Sequence, residues 1–220
     1  MLGMASTLTL LPIAQLEDEF TITVSSDDKA YILLYGFSDG AKKLRVNVAH
    51  EGAYACILGM IIGLRGTCGI STFQHHSAPH TTSDLLIKTI LLDNAVFNYE
   101  GTIRIEKVAQ GSNAYQRNEN ILISPSARVN TRPYLEILAN DVRCTHGATI
   151  GTFGEEEYFY LRSRGIAQRR ATLLLAQGFL QSIVQKIPEE LITDRIKGIV
   201  EEQLAIFNYA RLNFIGIPFI

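Results

Sequence analysis

A body of short β-strands followed by a small set of α-helices is the fold class that the sequence predicts. Apolar and polar residues alternate with a period of two in short segments up to about residue 150, for example at 20–24, 44–48 and 102–105. Clusters of turn-forming residues separate these segments. After Gly151 the apolar residues recur with helical spacing. We therefore predict a β body over residues 1–151 and a C-terminal helical region over residues 152–220.

The arrangement of the predicted strands is less sharply defined by the residue pattern. No helical pattern separates consecutive strands, which argues against alternating β–α–β units. Many short strands fit a sandwich, a barrel or a stacked β-helix. The later strands recur at intervals of roughly twenty residues without an Asn-Gly or Asp-Gly hairpin turn, which mildly favours the rungs of a solenoid. A sandwich and a β-helix remain about equally supported at this point.

Three helices are predicted in the C-terminal region. The first is expected to start with a capping box at Thr152 and Glu155 and to end near Gly165. The second carries an apolar stripe from Ala171 to Ile183. The third is predicted to begin at Pro188 and carries a second apolar stripe from Ile192 to Leu204. Both stripes pack on the β body, or one stripe is exposed and forms a docking face for another protein.

Composition and charge exclude several classes of protein. Among the 220 residues, 47% are hydrophobic and 19% are charged, which is typical of a folded chain. A formal net charge of −2 lacks the basic footprint of nucleic-acid binding. No apolar run reaches the ~18–20 residues of a membrane span. The three cysteines, an odd and widely spaced set, do not suggest a disulfide framework and favour a reducing compartment such as the cytoplasm.

Cys144 and His146 form the sharpest chemical pair. They lie two residues apart in a predicted strand, so their side chains share one face. Thiolate and imidazole suit iron or zinc, but two ligands are too few for a closed site. The alternative is a buried cysteine beside a hydrogen-bonded histidine. A second group, His75, His76 and His80, is expected in a surface loop or at a sheet edge rather than at a metal.

Known catalytic motifs are missing from the chain. It contains no GxxxxGK[ST], GxSxG or HExxH pattern, so we expect neither nucleotide hydrolysis by a phosphate loop nor those hydrolase chemistries. The three consecutive carboxylates at 155–157 fit the first turn of a helix, where they interact favourably with the helix dipole.

Several sequence blocks together carry a resemblance to a known family. They are HHSAPHTTS at 75–83, NILISPSA at 120–127, TRPYLEI at 131–137, CTHGATIG at 144–151 and FYLRSRGI at 159–166. Over roughly residues 45–205 the chain resembles the SufB/SufD family of iron–sulfur cluster assembly. The resemblance implies a right-handed parallel β-helix, the SufBD core, followed by a helical C-terminal domain.

The resemblance also implies a function and partners. Family members pair through their β-helices, as a SufB–SufD heterodimer or as homodimers, and their helical domains dock the SufC ATPase. The implied role is a non-catalytic scaffold subunit of the SufBCD complex, not an enzyme, in the cytoplasm or a plastid stroma. It supports a transient iron–sulfur cluster or iron and binds no nucleotide itself. The predicted docking residues are Phe159, Tyr160, Arg162, Arg164, Leu174, Leu175 and Phe179.

Two departures from the SufB-type pattern indicate the SufD type. Asn118 stands where the SufB type carries a cluster-building cysteine, and Gly147 stands where it carries an acidic residue. In the SufD type the histidine that matches His146 lies at the subunit interface and is implicated in cluster assembly, with Cys144 a weaker candidate. Two alternatives stay open: a homodimeric assembly protein without cluster chemistry, and a β-helix polysaccharide-active enzyme, for which we find no dense set of carboxylates.

Overall fold

The computed structural model describes residues 5–25 and 28–212, with side chains described as far as Ile206. The aromatic C-terminal side chains from Phe207 onward, which the sequence predicts to pack back on the fold or to contact a partner, lie outside the described residues.

The chain folds as a parallel β-helix. Successive strands alternate between two sheets: an odd sheet in the order β1-β3-β5-β7-β9-β11 and an even sheet in the order β10-β8-β6-β4-β2. Parallel pairing without helical crossovers excludes both the sandwich and the barrel. The strands are β1 Ser6–Pro12, β2 Glu19–Val24, β3 Lys29–Tyr35, β4 Gly40–Val48, β5 Tyr54–Gly63, β6 Thr67–His76, β7 Thr82–Leu91, β8 Val96–Ile105, β9 Ser112–Leu122, β10 Arg128–Ile137 and β11 Val142–Gly151.

The rungs of the solenoid lengthen along the chain. Ser6 pairs with Lys29, 23 residues later, whereas Val96 pairs with Arg128, 32 residues later. The strands lengthen as well, from 7 residues in β1 to 11 in β9. The repeat predicted from the sequence, roughly twenty residues, is therefore shorter than the repeat observed. Longer rungs enclose a wider interior toward the C-terminal end of the β-helix.

Apolar side chains from both sheets fill the interior of the narrower rungs. Ile32, Ile57 and Leu85 stack in register across β3, β5 and β7, and all three are fully buried. Gly59, in the next inward column between Leu34 and Ile87, is required by space, since a Cβ there would lie 2.8 Å from a side-chain carbon of Ile87. Such stacking of matched side chains is the unit of stabilisation in a β-helix.

Three helices follow the last strand: α1 Glu155–Ser163, α2 Gln168–Val184 and α3 Asp194–Leu212. The predicted capping box is wrong, because Gly154 occupies the N-cap position and no side chain caps the helix. The stop after α1 is confirmed, with Gly165 at a φ of 79°. The third helix begins later than predicted: Pro188 precedes a short 3-10 turn, Glu189–Leu191, and an extended Ile192 delays the helix to Asp194.

The second and third helices pack on the outer face of the odd sheet. Leu180 and Ile183 of α2, with Ile196 and Ile199 of α3, join one buried cluster with sheet residues such as Leu58. Full burial of each such side chain contributes about 1.5–3 kcal/mol. The two apolar stripes therefore cover the β body, which leaves α1 as the exposed helix. Within the described ranges, no helix is both long and apolar enough to cross a membrane.

Candidate functional site

Cys144 and His146 lie on β11, the last strand of the odd sheet. Their register partners on β9 are Ala114 and Gln116, both buried in the interior of the β-helix. Because parallel neighbours in register point to the same side of a sheet, Cys144 and His146 both face the inside. The structure thus brings this pair onto one face at the wide end of the solenoid.

The wide end of the solenoid is open. In the described part of the chain, β10 and β11 each pair with a strand on one side only. We call the inner faces and free edges of these two strands the open end. Its inward-facing apolar side chains are exposed because no further rung covers them, and they include Leu135, Ile137 and Ile150.

His146 and Cys144 differ in their surroundings at the open end. His146 is exposed, so its imidazole is accessible from outside. Cys144 is half-buried and packs against a small apolar cluster that includes Ile103 and Ala114. Burial raises the pKa of the Cys144 thiol, which favours the protonated form over the metal-binding thiolate. The histidine is therefore the more accessible of the two side chains.

The pair does not form a complete metal centre within this chain. No group of three or more histidine, cysteine, aspartate or glutamate side chains is arranged to hold a metal ion in residues 5–25 and 28–212. A tetrahedral metal ion has four ligand positions. The His146 nitrogen and the Cys144 sulfur would fill two of them, so at least two would need other donors.

The two residues that separate this chain from the SufB type have different environments. Asn118 is buried inside the β-helix, donates to the backbone oxygen of Ile87 at 3.4 Å and accepts from Asn120 at 2.7 Å. Asn120 also donates to the Thr149 oxygen at 3.0 Å, so these amides link β7, β9 and β11. Gly147 has open space around it, with nothing within 4 Å of an added Cβ.

The sequence-based reading missed this row of inward-facing amides. Gln116, Asn118 and Asn120 are all buried on the inner face of β9. Their period-two spacing was a usable signal, because residues i, i+2 and i+4 of a strand share one face. Polar residues with that spacing more often face solvent, and only the stacked rungs show that this face is the interior.

The predicted loop or edge location of His75 and His76 is wrong, because both residues end strand β6. His76 is fully buried and lies within hydrogen-bond distance of Thr81 Oγ1 (2.7 Å) and Ser83 Oγ (2.8 Å), so both ring nitrogens have hydroxyl partners. His75 faces outward and contacts Glu106 at 3.0 Å. His80 lies in a turn with a φ of 55°. The fully buried His76 is part of a structural hydrogen-bond network.

The stability of the fold is expected to fall in mild acid because of His76. Burial, with a smaller contribution from His75, lowers the pKa of His76 to about 4. The unfolded chain, with a histidine pKa near its usual ~6.5, then binds more protons between these values, so stability is lost as pH falls. We expect a loss of about 3 kcal/mol between pH ~7.5 and ~4.

Urea unfolding at several pH values measures this effect. A His76→Gln variant is expected to show a shallower pH dependence, and a His50→Gln variant at an exposed site serves as the control. Equal pH slopes for wild type and His76→Gln would contradict the assignment.

The predicted docking residues divide into an exposed and a packed group. Phe159 and Tyr160 of α1 are 76% and 57% exposed, and the Arg164 guanidinium lies 5.0 Å from the centre of the Tyr160 ring. Arg162 is also exposed, while Leu174 and Leu175 of α2 are half-buried. Phe179 packs toward the β body, with the Lys88 ammonium 4.2 Å from its ring centre.

The fold defines a class: a parallel β-helix whose last two strands, within the described residues, each pair on one side only. The SufBD core domain of SUF system FeS cluster assembly matches residues 25–179. This match covers well over half of the chain. The chain belongs to the SufBD family of the SUF iron–sulfur cluster assembly system.

Relatives in bacteria and plants support this membership. An iron–sulfur cluster assembly SufBD family protein of Synechocystis is 38% identical over 185 residues, covering 82% of this chain and 41% of the relative. The iron–sulfur cluster assembly protein SufD of Escherichia coli is 33% identical over 62% of this chain and 32% of its own length. The chloroplastic protein ABCI7 of Arabidopsis thaliana is 36% identical over 47% of this chain and 22% of its own. The chain thus spans about two fifths of these relatives or less.

Proposed function

We propose that this chain acts as a SufD-like scaffold subunit that supports the assembly of nascent iron–sulfur clusters together with a SufB-type subunit and a SufC-type ATPase. The observation that carries the proposal is the exposed His146 on the inner face of the open end, with Cys144 on the same face. The SufD of Escherichia coli among the relatives supports the SufD type.

The open end is the proposed contact with the SufB-type subunit, or with a second copy of this chain. Free edges of β10 and β11 offer unpaired backbone groups, which another strand can satisfy. The exposed apolar side chains around His146 favour burial by such a partner. A subunit bound there brings further donor atoms close to His146 and so supplies the metal ligands that this chain lacks at the site.

The roles of the two site residues follow from their environments. The His146 imidazole offers one nitrogen to iron or to a nascent cluster, which are the cargo of the assembly. Cys144 contributes less because burial holds it as a thiol. The chain itself performs no catalytic step, and the ATPase supplies nucleotide hydrolysis. The proposed location is the cytoplasm or a plastid stroma.

The exposed side of α1 is the proposed docking surface for the ATPase. Phe159 and Tyr160 present aromatic area, and Arg162 and Arg164 place positive charge beside it. Exposed aromatic and arginine side chains are the residue types most enriched at interface hot spots. Leu174 and Leu175, which are half-buried on α2, extend this surface.

Co-expression tests the proposed function directly. The chain is purified with a SufC-type ATPase and a SufB-type subunit, and the mass and iron content of the assembly are measured before and after anaerobic reconstitution. We expect a stable complex that takes up iron. A chain that leaves the ATPase unbound and stays free of iron would refute the proposal.

The polysaccharide-active alternative finds little support on the outer face of the even sheet. Its carboxylates are ion-paired: Glu106 and Glu136 with Arg104, at 2.7 and 3.0 Å, and Glu100 with Arg132 at 3.5 Å. A glycosidase needs two carboxyl groups that flank the scissile bond and can exchange protons with it. The hydrogen bond from Arg104 lowers the pKa of Glu106, which makes this carboxyl group a poor proton donor.

A charge placed at the open end is expected to prevent pairing without unfolding the chain. Leu135 faces inward on β10 but is 39% exposed, so a Leu135→Glu substitution leaves the folded monomer largely intact. In a pair the same carboxylate would be buried without a partner, at a cost of several kcal/mol. Light scattering is expected to give a paired mass for wild type and a monomer mass for the variant.

The control for this prediction is Val108→Glu, at an exposed position in the turn between β8 and β9. It adds the same charge away from the open end and is expected to keep the wild-type mass. An unchanged mass for Leu135→Glu would contradict the assignment of the contact to the open end.

A further inference from the structure

The buried Gln116 lies on the strand adjacent to His146. Gln116 on β9 is the register partner of His146 on β11, so both side chains point to the interior from adjacent rungs. Its Nε2 donates to the Gly101 oxygen at 3.3 Å, and its Oε1 is buried without a hydrogen-bond partner. Buried side-chain oxygens without a partner are rare and call for an explanation.

The Gln116 amide has little freedom to move away from this position. A Cβ added at Gly101 would overlap the Gln116 amide and would lie 2.5 Å from the Tyr99 hydroxyl oxygen. Residue 101 therefore accommodates the amide only because it is glycine. The space at Gly101 keeps the Gln116 amide in the interior of the β-helix, which is also the face to which His146 points.

A second free amide oxygen on the same strand has no such neighbour. Asn120 Oδ1 is also buried without a partner, but its register partner on β11 is Ile150, which carries no donor. Gln116 thus combines a buried, unpartnered oxygen with a register partner whose side chain carries an N–H group. Adjacent parallel strands lie ~4.8 Å apart, a separation that side-chain rotation can reduce to hydrogen-bond distance.

We propose that Gln116 is a positioning residue for His146: its Oε1 accepts the N–H of one ring nitrogen of the imidazole. This bond selects one tautomer and leaves the other ring nitrogen unprotonated toward the open end. Histidines that bind metals usually donate their other N–H to an oxygen in this way, and such partners affect metal affinity by about 10–100-fold. The iron-binding part of this inference rests on the proposed function, whereas the hydrogen bond does not.

The tautomer of His146 tests the hydrogen bond in the full chain without any metal. Long-range nitrogen–proton NMR spectra at about pH 8, where histidine is neutral, distinguish the two tautomers. We expect one tautomer in wild type and a mixture in Gln116→Met, which keeps the side-chain volume but lacks the acceptor. Gly101→Ala, which displaces the amide, is expected to act like Gln116→Met. An unchanged tautomer ratio in both variants would overturn the proposal.

A matched control and a metal titration separate this proposal from the proposed function. Asn130→Ala removes an exposed amide that donates to Asn98 at 2.8 Å, and it is expected to leave His146 unchanged. With Co²⁺ as the probe, Gln116→Met is expected to bind about 10-fold more weakly than wild type. If the variants change the tautomer ratio but wild type binds no Co²⁺, the hydrogen bond is supported and the proposed function is contradicted. Co²⁺ binding that depends on His146 but is insensitive to Gln116 overturns the positioning role alone.

Discussion

Replacement of His146 by alanine is expected to remove most of the iron from the reconstituted assembly while its mass stays unchanged. The side chain is exposed, so its loss changes folding stability by about 0.5 kcal/mol or less. The variant loses the more accessible of the two donors at the open end. Iron content per complex, measured after anaerobic reconstitution, is the direct readout.

Two variants on the same strand complete this experiment. Thr145→Ala lies between Cys144 and His146 but faces the other side of the sheet, so its iron content should equal that of wild type. Cys144→Ala should lose less iron than His146→Ala, because burial already disfavours the thiolate. Wild-type iron content in His146→Ala would instead support the alternative of an assembly protein without cluster chemistry.

Replacement of Phe97 by alanine is expected to destabilise the fold by about 3–5 kcal/mol, the usual cost of emptying a buried phenylalanine site. Phe97 is fully buried and stacks on Tyr99 at a centroid distance of 6.4 Å. It lies in register between Cys68 and Val129 on the neighbouring strands, so the cavity opens in the middle of the even sheet. The free energy of unfolding in urea measures the loss.

Phe159→Ala is the matched variant on the surface. It should leave stability unchanged and weaken binding of the ATPase. Its ring is exposed on α1, so its removal should leave the free energy of unfolding within about 0.5 kcal/mol of wild type. Co-purification with the SufC-type ATPase should fall at least about tenfold if this ring is an interface hot spot. Full ATPase binding by Phe159→Ala would remove α1 from the proposed docking surface.

The hydrophobic periodicity predicted much of the architecture because the periodicity of a strand or a helix depends only on the backbone geometry of that segment. The change from period two to helical spacing after Gly151 reflects the backbone of each segment, and β11 indeed ends there. The spacing of Cys144 and His146 alone places them on one face of a strand. The choice between a sandwich and a solenoid was different, because parallel pairs join residues 23 to 32 positions apart and leave no local turn signal. The recurrence of strands favoured the solenoid only mildly, and the family resemblance decided between the two.

What the sequence by itself determined is the order of strands and helices, the shared face of Cys144 and His146, and membership in the SufBD family. The tertiary structure decided which face is inside and what it contacts. His76 was predicted at the surface but is buried, and Gln116 had no marked role until its oxygen was found free beside His146. The physical reason is that burial in a solenoid depends on the neighbouring rungs. Whether a polar residue on a strand faces solvent or is buried in a structural hydrogen bond therefore depends on whether another rung covers it.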